Sequence, residues 1–415
     1  MHKERTVKKT TLLCLLPLFA LAGNLPELLN FAEQNKQVEA SRYSLEAARE
    51  QEYATKSGYM PNLSLGANQT FNQQETMLNP DKSRTGSATL SFTLYDGGKR
   101  EALFDQQKAL VKAATFSLGS VQNNVSLNVI YYYYNYISTL ASKESTVQKM
   151  EQLEAERFRL EKYLSVGSAT ADELQKIIST IEQTKVDLLT LDNTLNNISN
   201  TLEYLAGREV SVESGSSVLF QETKAEETKR FDILALEESV QSSRAEAEAA
   251  KAPYLPIIKI EDSYSRFKYD FNNPAFESDN NHQNTVQLTM QWKIFDFGST
   301  SASVQAAQKS YLSKSSDLAY EKQKAKASFK SALNSYTTAR AKIEAAKARL
   351  SASEMTYELV KKKFQQGIVN NVTYLDALTD KFNAKSQLQT ALNEVEYQKA
   401  VLLYEMGKEI KGFIQ

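Results

Sequence analysis

Leu90-Ser-Phe-Thr-Leu-Tyr-Asp-Gly-Gly98 and, 200 positions later, Met290-Gln-Trp-Lys-Ile-Phe-Asp-Phe-Gly298 share one plan. Each alternates apolar and polar side chains, then ends in an aromatic residue, Asp, any residue and Gly. Even positions are apolar (Ala88, Leu90, Phe92, Leu94; Val286, Leu288, Met290, Trp292, Ile294), and odd ones are mostly Ser, Thr, Gln or Lys. A period of two with one greasy face predicts a strand. The same offset pairs Gly167 with Gly367, and the run Leu202 to Glu209 with Leu402 to Glu409. The chain reads as two copies of one unit.

Downstream of the first stretch, 98–166 carries apolar residues at three-four spacing (Leu110, Ala114, Val121, Val125, Val129, Leu153, Leu160) with no proline. A helix of that length measures ~100 Å at 1.5 Å per residue. No globular domain buries such a helix end to end, so it is expected to be a coiled-coil element. Gly167 breaks it, and a second helix runs on through Ile178, Leu188, Leu195 and Leu202, giving an antiparallel helical hairpin over 98–206.

Upstream, a helix is predicted from Pro26 to about Tyr59 and a strand pair at 61–72 and 87–96, joined by a polar loop. The first repeat is thus 23–206, followed by a polar linker at 207–228. The second repeat, 229–415, holds a helix at about 229–252, strands at 256–267 and 285–296, and a helical hairpin over 299–411. Asp262 interrupts the apolar face of its strand, and His282 falls in the predicted loop between the strands.

Residues 1–22 read differently. Lys3, Arg5, Lys8 and Lys9 precede an apolar run from Leu12 to Leu21, and Ala20-Leu-Ala22 fits a small-x-small cleavage site, as in a secretory signal peptide. The only cysteine, Cys14, lies in that run, so the mature chain has no disulfide or thiolate chemistry. Cleavage removes four of 49 basic residues and one of 50 acidic ones, leaving a net charge of −4. So small an imbalance does not imply nucleic acid, and no nucleic-acid partner is expected.

Each copy offers two strands near the length that crosses a bilayer when tilted. Their apolar and Ser/Thr/Asn/Gln faces are the lipid-out, water-in pattern of an outer-membrane barrel. Tyr59, Tyr95, Tyr254, Phe295 and Phe297 stand near strand ends, where aromatic girdles belong. Four strands do not close, and open edges in lipid leave backbone groups unpaired, so several chains must combine. Eight strands leave an interior packed with side chains, and twelve leave a lumen. The expected fold class is mainly α with membrane β. Duplicated antiparallel helical hairpins form a trimeric α-barrel that continues a 12-stranded barrel, four strands from each chain.

The duplicated plan resembles the TolC-like outer-membrane efflux proteins. The matching residues are Tyr-Met-Pro-Asn-Leu (59–63), Tyr-Leu-Pro (254–256), Tyr-Asp-Gly-Gly (95–98), Phe-Asp-Phe-Gly (295–298), Phe364 through Asp376, and Val166-Gly167 through Gln175. The resemblance implies a homotrimer in outer-membrane lipid. It would serve as a passive exit duct docking a periplasmic adaptor and an inner-membrane pump of RND, ABC or MFS type. By the same resemblance the adaptor-docking tips are Val166, Gly167, Ser168, Gln366, Gly367 and Ile368, and the strand-to-helix junctions are Asp96, Gly98, Asp296 and Gly298. The periplasmic constriction maps to Phe364, Val369, Thr373, Asp376 and Glu173. Thr373 stands where many members carry a second acid and Val369 where some carry a basic gating residue. Three copies of Asp376 would form a cation-selecting ring. The plainer reading is that Asp376 and Glu173 are solvated helix charges.

Within this plan the alternatives are a type I protein-secretion channel or a non-pore periplasmic coiled-coil adaptor. Catalytic, metal and cofactor sites are not expected. Only His282 survives maturation, so no catalytic triad or His/Cys metal cluster assembles, and there is no phosphate-binding loop. In the run Tyr131 to Tyr134, two rings are expected to pack and two to face outward.

Overall fold

A computed structural model describes residues 21–221, 229–272 and 281–415. The expected signal peptide lies outside them but for its last two residues. Those two belong to β1 (Leu21–Gly23), which pairs in parallel with β4 (Val210–Val212) in the inter-repeat linker.

The predicted first helix is two helices, α1 (Leu25–Ala32) and α2 (Lys36–Ser57). Asn35 makes the break. Its side chain accepts from the Gln37 amide at 2.8 Å, capping α2, and donates to the Leu205 carbonyl at 2.9 Å. After β2 (Asn62–Phe71) and β3 (Lys82–Tyr95) come the long α3 (Lys99–Ser165) and α4 (Ala171–Ala206). The second repeat gives α5 (Phe231–Ala249), β5 (Ile257–Asp270), β6 (His282–Gln291), α6 (Ser299–Gln365) and α7 (Asn371–Glu405). Both long helices have 67 residues and start 200 positions apart.

The duplication extends to the backbone. Gly98 and Gly298 precede the long helices at φ 81° and 84°, Gly167 and Gly367 turn the hairpins at 73° and 72°, and Gly207 and Gly407 end α4 and α7 at 71° and 68°. A left-handed residue at a helix end is where a Cβ is costly. One position breaks the equivalence: Gly97, at φ 74°, corresponds to Phe297, the one non-glycine with positive φ (52°) among the described residues.

The strands form one antiparallel sheet in the order β2-β3-β5-β6. β3 starts at Lys82, earlier than expected, because it pairs along its length with β5. β6 begins at His282, which is therefore not in the loop, and ends at Gln291, where its partner β5 begins at Ile257. Trp292 to Asp296 continue the alternation but have no strand beside them. One face carries Leu63, Leu65, Leu90, Phe92, Ile260 and Leu288. Asp262 interrupts it between Leu90 and Val286, with one buried carboxylate oxygen lacking a hydrogen-bond partner. A register shift at Thr93/Tyr95 sets Tyr95 opposite Ile258, so the strict even-position rule fails in the last residues of β3. In both edge strands, β2 and β6, every residue is exposed.

α3 packs on α2 and α4 of its own repeat and on α5 and α7 of the other. α6 packs substantially only on α5 and α7. α3 accordingly buries thirteen residues and α6 five. Midway along α3, an apolar cluster of Leu25, Leu28, Leu29, Ile130, Leu202 and Ile410 ties α1 and α4 to the chain's C-terminal end. There Tyr133 and Tyr134 are buried, and their hydroxyls donate to the carbonyls of Glu213 (2.8 Å) and Ser216 (3.1 Å), pinning the linker. Tyr131 lies outward, edge-on to Tyr397. No helix among the described residues is long and apolar enough to cross a membrane.

Candidate functional site

Far from the sheet, the α3–α4 and α6–α7 turns meet as a pair of tips. The Ser168 amide donates to the Tyr163 carbonyl at 2.8 Å, and the Ile368 amide to the Lys363 carbonyl at 2.9 Å, so both tips close by the same turn around Gly167 and Gly367. The turn leaves Val166 and Ile368 72% and 65% exposed, although both are apolar.

The two hairpins start their return helices differently. Thr170 and Glu173 form a capping box, with the Thr170 amide donating to the Glu173 carboxylate at 3.1 Å. Asn370 caps α7 by accepting from the Thr373 amide and hydroxyl, both at 2.9 Å. Glu173 and Thr373 are therefore engaged in capping their own helices. Asp376, one turn further on, is exposed and has no partner among the described residues. Val369 is half-buried.

Phe364 is packed between elements. It stacks on Tyr374 at 4.8 Å and lies under the Arg159 guanidinium, also at 4.8 Å. It thereby joins a buried cluster of Leu153, Leu160, Ile177, Tyr357, Leu378 and Phe382 that fuses the hairpins. Buried Asn371 adds a polar tie, its amide donating to the Glu173 carbonyl at 3.1 Å, while its own Oδ1 has no partner. Beside the cluster Arg159 donates to Glu156 at 2.6 Å. Burial nevertheless pushes the Glu156 carboxyl above its ordinary value, against the pull of Arg159 and Lys361.

Asn371, Tyr374, Tyr357, Glu156 and Arg159 were not singled out from the sequence. A signal existed in the comparison of the copies. Tyr357, Phe364 and Tyr374 stand 200 positions from Arg157, Leu164 and Leu174, so the second copy is aromatic where the first is not.

At the other end, the Asp296 carboxylate accepts from the amides of Gly298 (3.2 Å) and Thr300 (2.9 Å), starting α6. Asp96 is buried with one oxygen unpartnered. Ile294, Phe295 and Phe297 are exposed beside the junction. Among the described residues no group of three or more His, Cys, Asp or Glu is placed to hold a metal.

Residues 29–208 and 224–406 match the family profile described as "Outer membrane efflux protein", one match for each repeat. Outer membrane protein TolC of Escherichia coli is 24% identical over 399 residues, covering 89% of this chain and 79% of that protein. A membrane protein from Pseudomonas aeruginosa has a similar structure (TM-score 0.83, 20% identity, 92% of this chain and 93% of the other). So does outer membrane protein VceC of Vibrio cholerae (TM-score 0.81, 15% identity, 92% and 96%).

Proposed function

The chain belongs to the outer membrane efflux protein family, and from that premise we propose that three copies assemble into a channel-tunnel, the passive exit duct of a tripartite efflux system. It is a transport protein, not an enzyme. Twelve strands cross the outer membrane, and the helical barrel hangs in the periplasm. The tips at Gly167 and Gly367 meet a periplasmic adaptor, and an inner-membrane pump supplies the energy. Residues 1–22 are cleaved on export.

The observation that carries this reading is the unfinished sheet. It has an apolar face and two fully exposed edge strands, an arrangement that lipid does not tolerate until other chains close it. The bare flank of α6 supports the same closure among the helices. Val166 and Ile368, each an exposed apolar side chain at a helical tip, support adaptor docking, because a protein partner is what would cover them. Asp376, exposed and unpartnered, is the residue proposed to line the constriction.

Purified protein in a planar bilayer is expected to give discrete conductance steps. Asn371→Ala, which removes the polar tie between the tips, is expected to raise the conductance several-fold. An absence of current in both proteins favours a coiled-coil scaffold without a pore.

A further inference from the structure

Pairing register assigns each strand residue to one side of the sheet. On the side carrying the leucines, the mainly apolar rows give way to charged ones at the end away from the helices, where Phe71, opposite Lys82, is the one large apolar side chain. The next rows bring together Arg266, then Arg84 beside Lys268, then Lys82, with His282 across from Arg266. All five are exposed. The one acid in these rows is Asp270, whose carboxylate lies 3.6 Å from Arg84. The opposite side at the same level carries no charge, only residues such as Ser83, Thr85, Phe267 and Tyr269.

The depth of this cluster is informative. From Ile258 to Lys268 is ten residues, roughly 34 Å along a strand and about 26 Å across a bilayer at the usual tilt. An outer-membrane barrel's apolar band is about 25 Å tall. The cations therefore sit at its outer rim, on the lipid side and not in the lumen. Solvation alone does not require such one-sidedness, because either side of the sheet's end meets water.

We propose that Arg84, Arg266 and Lys268, with Lys82 at the edge, bind the phosphate groups of an anionic outer-leaflet lipid, whose acyl chains lie along the leucine-bearing side below. The guanidinium fork matches phosphate oxygens in pairs, and cations at a membrane surface add attraction to anionic headgroups residue by residue. This inference rests on the membrane reading above.

The test uses full-length purified protein and fluorescent diphosphoryl lipid A, an acylated glucosamine disaccharide with two phosphates, compared with its dephosphorylated form. The wild type is expected to bind the phosphorylated lipid at least tenfold more tightly. The Arg84→Gln/Arg266→Gln/Lys268→Gln variant is expected to bind both lipids alike. Lys259→Gln, which removes a cation from the other side of the sheet, is expected to match the wild type. Equal affinity of the wild type for the two lipids overturns the proposal, as does full preference for phosphate in the triple variant. Displacement by millimolar inorganic phosphate assigns the site to a free anion and also overturns it. Flotation with zwitterionic, net-neutral phosphatidylcholine vesicles, run in parallel, separates the two readings. Protein that floats without phosphate preference loses only the lipid site, whereas protein that does not float loses the membrane reading as well.

Discussion

At the scale of single residues, the two acids at the tips part ways. Glu173 turns back to cap its helix, a role that glutamine also fills, so Glu173→Gln is expected to leave block by multivalent cations unchanged. Asp376→Ala is expected to weaken that block, measured as the cation concentration that halves single-channel current. Unchanged block in the second variant moves the constriction elsewhere. The junction residues Gly97 and Phe297 offer a second contrast. A Cβ on Gly97 would lie 2.5 Å from the Ala252 carbonyl oxygen, and the backbone there is left-handed. Gly97→Ala is expected to cost about 3 kcal/mol, seen as a lower thermal midpoint. Phe297→Gly relieves a left-handed side chain and is expected to stay within ~1 kcal/mol of the parent.

At the scale of elements, the paired hairpins are held at their tips by aromatic packing and a buried carboxyl. Because Glu156 is pushed above its ordinary value chiefly by burial, its neutral form suits the folded tip better than its charged form. The stability it contributes is fully present below the ordinary glutamate range and is lost as pH rises through its raised value. Hydrogen exchange of tip amides, corrected for intrinsic rates, is expected to show more protection at pH 4.5 than at pH 7.5. Glu156→Gln is expected to shrink that difference, and an unchanged difference would place the titration in another group. The elements themselves were largely legible beforehand: the long helices from three-four spacing, their ends from glycine, the strands from alternation. What local pattern missed was set by partners. β3 starts early and β6 ends early because pairing with β5 fixes them, and the first helix splits because Asn35 bonds to Leu205, 170 positions away.

At the scale of the whole molecule, the repeat symmetry predicts the contact between chains. Within one chain the Ser142 and Ser386 hydroxyls meet at 2.6 Å between α3 and α7. Shifting by 200 places Lys342 of α6 against Val186 of α4 in the next copy, and Val186 is 54% exposed in the single chain. Val186→Cys with Lys342→Cys is expected to form disulfides between protomers, giving cross-linked trimers on a non-reducing gel, while each single variant stays monomeric on that gel. The sequence by itself determined the duplication, the long hairpins and the strand faces, because periodicity and left-handed glycines are local properties of the chain. Only the tertiary structure decided that Glu173 and Thr373 serve helix caps, that Phe364 packs inside the tip, and that Lys82, Arg84, Arg266 and Lys268 gather on one side of the sheet's far end. Each of these depends on which distant residue comes within reach, and spacing along a chain does not encode that.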